Sequence, residues 1–270
     1  PITAAPESAP PPRRGRNRAA IAVALLLLLI LALAAFLRLS GLNWDSGTHL
    51  HPDERFLTDL ASVLSGVEEP LDYFRTSIST LNPYNVGRTF YVYGNFPMTV
   101  TRYAAEWADA ICEGLAGRSS GPPAFCERVY TGYDGIHLVG RFLSALVDLV
   151  SIFFTFLIGR RLYGRWAGLI AALLLALAVM PIQQSHFFTM DNWATMFTTV
   201  ALYAAVRAAA LGEAPRFRWR WWAIFGLALG LAAASRINMA PLALVINVSA
   251  VILVVRFRRA EEIGRLGDWE

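Results

Sequence analysis

The chain has no lysine: all 24 basic residues are arginine, so chemistry that needs a lysine amine, such as a Schiff base or a P-loop, is excluded. Charge is scarce, at 16% of the 270 residues against 56% apolar, with a mean hydropathy of +0.44. A soluble domain would not carry so little charge, which reads as an integral membrane protein. No D-x-D motif of the kind used by nucleotide-sugar enzymes is present, and no internal repeat is visible.

The apolar residues fall into runs. Residues 19–37 are uncharged between Arg18 and Arg38, close to the ~20 residues a helix needs to cross a bilayer. This run is too long for a signal-peptide core and ends without a small-residue cleavage site. Five further apolar segments follow at 136–158, 166–182, 187–206, 221–235 and 237–255, which gives an expectation of six transmembrane helices in an all-α polytopic fold. Arginines mark every second connection. They precede the first run (Arg13, Arg14, Arg16, Arg18) and follow the second (Arg160, Arg161, Arg165), the fourth (Arg207, Arg216, Arg218, Arg220) and the last (Arg256, Arg258, Arg259). Positive residues in short loops stay on the cytoplasmic side, so both ends are expected inside a plasma membrane. The basic pI of about 9.4 follows from that pattern rather than from nucleic-acid binding.

On this topology residues 40–135 form a long extracytoplasmic loop with twelve acidic residues against six arginines. A loop of that length in a compact membrane domain is usually functional. Its two cysteines, Cys112 and Cys126, are expected either to close a structural disulfide, worth roughly 3 kcal/mol on an oxidising face, or to pack as reduced thiols. Residues 1–18, rich in proline, alanine and arginine, are expected to be a disordered cytoplasmic tail. The membrane domain is expected over 19–258 and a cytoplasmic loop over 259–270, at the end of what reads as a fragment of a longer chain.

Within the loop, His51-Pro52-Asp53-Glu54 marks a helix start, because proline suits the first helical position and acids suit the first turn. A helix from Pro52 to about Leu64 places Phe56, Leu57, Leu60 and Leu64 on one stripe. Asp53 falls on that stripe. Glu54 is turned about 100° away, above Thr58 and Ala61. The helix dipole alone explains acids here; an acid aimed at the apolar side nevertheless needs a reason, because an uncompensated charge there is costly.

The segment Trp44-Asp45-Ser46-Gly47-Thr48-His49-Leu50-His51-Pro52-Asp53-Glu54-Arg55-Phe56 resembles the first outside loop of the GT-C membrane glycosyltransferases of the family-39 type, which include the protein O-mannosyltransferases and the aminoarabinose transferase. The similarity continues through Gly140-Arg141-Phe142, Gly159-Arg160-Arg161-Leu162-Tyr163-Gly164 and Phe188-Thr189-Met190-Asp191. Within that family it is the bacterial phospholipid-carrier-dependent enzymes that the chain resembles in particular. The resemblance implies sugar transfer from a polyprenyl-phosphate donor to a lipid, glycan or protein acceptor at the extracytoplasmic face of the cell envelope. It carries the role of catalytic base onto Asp53 and places a second acid at Asp191.

The candidate catalytic pair is therefore Asp53 and Glu54, with Asp53 as base and Glu54 in support; the substrate-binding candidates are Arg236, Asp191, His51 and Arg55. Arg236 is the one arginine in a short outside turn, suited either to a lipid phosphate or to an interfacial anchoring role. Asp191 either orients the acceptor or caps the helix that follows. Arg55 suits an i, i+4 ion pair with Asp59 at least as well as a substrate. Asp148, deep in the second run, is expected to pair with Arg141. No cofactor is expected; His49 and His51 raise a divalent metal only weakly, and packing beside the site is the plainer reading. Stretches 82–85 and 91–97 mix aromatics with amides, which suits a sugar or a membrane-interface belt. The competing functions are a lipid or solute transporter or flippase, expected to show repeated halves and broken helices, and a non-catalytic assembly subunit.

Overall fold

The computed structural model describes residues 13–116, 123–211 and 214–267, and among them the chain is helical with no strand. Helix α1 (Arg13–Leu39) begins inside the stretch expected to be a disordered tail, whose first twelve residues lie outside the described part. After α2 (Pro52–Val63) and α3 (Phe96–Ala116) come α4 (Tyr133–Tyr163), α5 (Arg165–Leu177), α6 (Val179–Ser185), α7 (Asp191–Ala208), α8 (Trp219–Ser235) and α9 (Ala243–Gly267). The residues expected as a terminal loop from 259 continue α9 as far as Gly267.

Helices α4 and α5 form a tight hairpin. Gly164 turns the chain at φ +95°, a value side-chain-bearing residues rarely adopt. A Cβ on Gly159 would lie 2.9 Å from the Gly168 Cα, and one on Gly168 would lie 2.6 Å from the Phe156 carbonyl, so the two backbones touch. Helix α1 adds Val23, Leu27 and Ala34 against Ile152, Phe156, Leu169, Ala172 and Ala176. On the other side α7 and α8 pack through small residues, Ala201, Ala204 and Ala205 against Phe225 and Ala228.

The third expected span is broken. Pro181 has no N–H for the Leu177 carbonyl, Ala178 is extended, and α5 and α6 meet at a bend of 57°. Arg38 closes the break: its guanidinium donates to the carbonyls of Ala176 (2.9 Å) and Leu175 (3.3 Å), while its Nε donates to Asp148. The expected Arg141–Asp148 pair is therefore wrong. Seven residues along one helix are about 10.5 Å of rise, too far for contact, whereas Arg38 reaches Asp148 from the end of α1.

Among the described residues three helices are long and apolar enough to cross a membrane, at residues 18–39, 133–163 and 237–262, or four if the bent pair is one span. Helices α7 and α8 fall outside that group. Helix α8 has 17 residues, and α7 carries Asp191 and Arg207 at its ends with three threonines between. The last span also opens as a 3-10 turn, Ile237–Leu242, before α9.

The long connection after α1 is a folded layer. Helices α2 and α3, with 3-10 turns at Pro70–Phe74, Pro83–Val86 and Ala124–Glu127, enclose a core of Leu57, Leu60, Leu64, Leu81, Met98 and Ala105 with Ile136 and Phe188. A disulfide between Cys112 and Cys126 ties the end of α3 to the turn before α4.

The Arg38–Asp148 pair yields a stability test. Asp148→Leu leaves a buried guanidinium without its counter-charge and should cost about 3–5 kcal/mol. Arg38→Met combined with Asp148→Leu should cost less than Asp148→Leu alone, read as thermal unfolding in nanodiscs; additive losses would refute the coupling.

Candidate active site

The site begins with the start of α2. His51 is extended (φ −79°, ψ 123°), and its Nδ1 accepts the Glu54 N–H at 3.3 Å, so this residue caps the helix that Pro52 opens. Its ring lies 4.4 Å from that of Phe187, centroid to centroid. His51 thus sets where α2 begins. His49 turns the opposite way, buried against Tyr133 and His137, so the two histidines do not converge. Among the described residues no three His, Cys, Asp or Glu side chains gather as metal ligands would.

The buried face of α2 carries Glu54, Leu57, Thr58, Leu60 and Ala61. It is wider than the leucine stripe and takes in Glu54, whereas Asp53 sits at its edge, half-buried. This reverses the expected phase of the two acids. The cause is Arg141 of α4, fully buried, whose guanidinium uses all five N–H groups: Nε and Nη2 on the two Glu54 oxygens (2.7 and 2.6 Å), Nη1 and Nη2 on the two Asp45 oxygens (3.0 and 2.9 Å), and Nη1 on the Leu42 carbonyl (2.7 Å). The Glu54 Oε1 also accepts the Phe188 N–H at 2.7 Å. Glu54, expected to support Asp53, is held as an anchor: both its oxygens are hydrogen-bonded and neither reaches solvent.

The anchor joins four parts of the chain: residues 42–45, the start of α2, α4, and the segment at Phe188. Phe188 itself fits because Gly140 has no side chain; a Cβ there would lie 2.3 Å from the phenyl ring. Three residues beyond Phe188 is Asp191, and next to Glu54 is Asp53. Both acids are thereby positioned by one buried arginine.

A second contact completes the group. Gly94 donates its N–H to the Ser235 carbonyl at 3.0 Å and lies so close to the end of α8 that a Cβ would be 1.9 Å from the Ala234 oxygen. That docking sets Tyr93 over Arg236, with 5.9 Å from the guanidinium carbon to the ring centroid. Arg236 pairs with Asp191, their side chains 32% and 36% exposed. The Tyr93 phenol lies beside Asp53; burial first, and then the neighbouring Asp53 carboxylate, hold it above the ordinary value of 10.0, so it keeps its proton. Tyr93, Arg236 and Asp191 thus form one chain of contacts with Asp53 beside it, and among the described residues no ion pair involves Asp53.

Arg55 stands apart. It is exposed, and its Nε donates to the His49 carbonyl at 3.1 Å; the expected Arg55–Asp59 pair is absent because Asp59 meets Arg88 at 2.8 Å. Sequence reasoning missed Asp45 and Arg141 as an anchor and Tyr93 as the bridge. An arginine inside an apolar run requires a partner, and the acids at 45 and 54 were candidates for it.

Hydrogen bonds from Arg141 hold the Asp45 carboxyl far below the ordinary value of 3.8, against the opposing effect of burial. A depressed carboxyl contributes stability that is complete above its unfolded value and lost on acidification below it. Asp45→Asn should therefore lower the melting temperature at pH 7, and its deficit against the wild type should shrink as pH falls below 3.8, followed by near-UV circular dichroism. A deficit independent of pH would remove Asp45 from the ion cluster.

Residues 135–262 match the family model described as dolichyl-phosphate-mannose-protein mannosyltransferase. The match covers just under half of the chain and takes in Arg141, Asp191 and Arg236, while Asp53 lies before it. No curated protein and no solved structure matches the chain. Together with the apolar helices, this match supports a membrane glycosyltransferase of the GT-C type, similar over these residues to the protein O-mannosyltransferases.

Proposed function

We propose that this protein transfers a sugar from a polyprenyl-phosphate donor to an acceptor hydroxyl at the extracytoplasmic face of the membrane, with Asp53 as the base. The observation that carries this reading is the half-buried Asp53 carboxylate, which among the described residues forms no ion pair and lies beside Tyr93, whose ring faces Arg236 of the Arg236–Asp191 pair. A carboxylate already neutralised by an arginine would be a poor base. Asp53, which among the described residues has no such partner, is left to take the acceptor proton beside Tyr93.

The acceptor hydroxyl gives its proton to Asp53 as its oxygen bonds to the anomeric carbon, and the carbon–oxygen bond to the lipid phosphate breaks with its electron pair on the phosphate. Arg236 is the cation for that departing charge, and Asp191 holds it in place. A phosphate leaves without needing much protonation, so one base and one cation suffice, unlike the acid-and-base pair of glycoside hydrolases. The Cys112–Cys126 disulfide supports an oxidising, extracytoplasmic setting for this layer. Against a transporter stands the treatment of the broken helix: the carbonyls freed at its bend are taken up by Arg38, so the break is closed by protein.

In nanodiscs with radiolabelled polyprenyl-phosphate sugars, Asp53→Asn should lower kcat by about 10²–10⁴-fold with unchanged melting temperature. Arg236→Gln should weaken donor use more than acceptor use. Transfer at the wild-type rate by Asp53→Asn would remove the base from the mechanism.

A further inference from the structure

Beyond Tyr93 the surface opens into a cleft of about 570 Å³, within the ~300–1,000 Å³ common for small-molecule sites. The two aromatic-and-amide stretches of the sequence meet in it. Tyr73 and Phe74 come from one 3-10 turn, Asn82 and Tyr84 from the next, and Tyr91, Tyr93 and Asn95 from the segment docked on α8.

Its walls are braced from within. The Tyr91 hydroxyl donates to the Gly94 carbonyl at 2.8 Å, and the side-chain amides of Asn82 and Asn95 donate to the carbonyls of Thr76 and Leu81 at 2.7 and 2.9 Å. The Asn95 Oδ1 is screened from water and has no hydrogen-bond partner. Phe74 and Tyr84 remain 76% and 56% exposed, large aromatic faces on the rim of a concave site.

Among the described residues the lining includes no arginine, histidine, aspartate or glutamate. That composition does not suit a phosphate, which needs a cation, and it contrasts with the charged Asp53, Arg236 and Asp191 next door. A pyranose fits it well. The C–H faces of the ring carry slight positive charge and stack on the electron-rich aromatic faces, while the hydroxyls at the edge bond to amides.

We propose that this cleft is the acceptor subsite and takes a neutral carbohydrate, a hexose-containing glycan stacked on Tyr84 and Phe74 with one hydroxyl directed past Tyr93 to Asp53. The proposal rests on the transferase reading for its chemistry and adds no step to it: the proton still goes to Asp53 and the electron pair to the donor phosphate. The division of labour is by charge, with the lipid phosphate at Arg236 and the uncharged acceptor in the aromatic cleft.

The test measures binding without turnover. The full-length protein in nanodiscs, with no donor, is titrated with methyl-capped trisaccharides of mannose, glucose and galactose and read by saturation-transfer NMR. At least one should receive saturation at its ring C–H protons. Its Kd should rise at least about tenfold in Tyr84→Ala and stay within about threefold in Tyr84→Phe, which keeps the stacking face. No trisaccharide binding, or equal binding in Tyr84→Ala, overturns the subsite. So does Tyr84-dependent capture of an uncharged serine- and threonine-containing hexapeptide in place of sugar, which assigns the cleft to a peptide acceptor. Tyr84-dependent sugar binding by a protein that transfers sugar from no donor supports the cleft and rejects the transferase reading instead.

Discussion

Arg141 is the interaction on which the rest of the arrangement depends. A guanidinium buried in an apolar bundle is costly unless every N–H finds an acceptor, and here two carboxylates and a backbone carbonyl take all five. Satisfying that one group forces residues 42–45, the first turn of α2 and the Phe188 segment onto the same point of α4. Asp53 is next to one of those fixed points, Glu54, and Asp191 lies three residues beyond another, Phe188. Their positions follow from the burial of a charge neither of them touches.

The arginines divide into two kinds of work. Arg38 and Arg141 are fully buried, paired with acids and bonded to carbonyls, and they fasten helices. Arg236 is about one-third exposed and shared between Asp191 and the face of Tyr93, and in the proposed mechanism it meets the donor phosphate. A planar fork that grips carboxylates and carbonyls at several points suits both tasks, and an ammonium would serve neither as well. The absence of lysine is consistent with a chain that asks its cations for geometry as well as charge.

Much of the fold was legible because bilayer crossing and helix initiation are local properties. The apolar runs correspond to helical segments, and the Pro52 start is where the chain turns into α2. What the sequence hid was long-range pairing. The phase of Asp53 and Glu54 was read from a leucine stripe, yet a buried arginine 87 residues further along decides which acid turns inward. Asp148 and Asp59 were assigned to partners on their own helices, whereas the structure pairs them with Arg38 and Arg88 from elsewhere. Residue spacing cannot see such partners. Tyr93 escaped notice as a site residue because its place depends on Gly94 docking on α8, a contact of backbones with no side-chain signal.

The most direct test of this account is the distance between nitroxide labels at Val63→Cys on α2 and Ile237→Cys beside Arg236, measured by pulsed electron resonance with Arg141 intact and with Arg141→Met. Both positions are exposed, and the native cysteines are held in their disulfide. The account predicts one narrow distance with Arg141 present and a broadened or shifted distribution without it. An unchanged narrow distance in Arg141→Met would contradict the claim that this buried arginine positions the site.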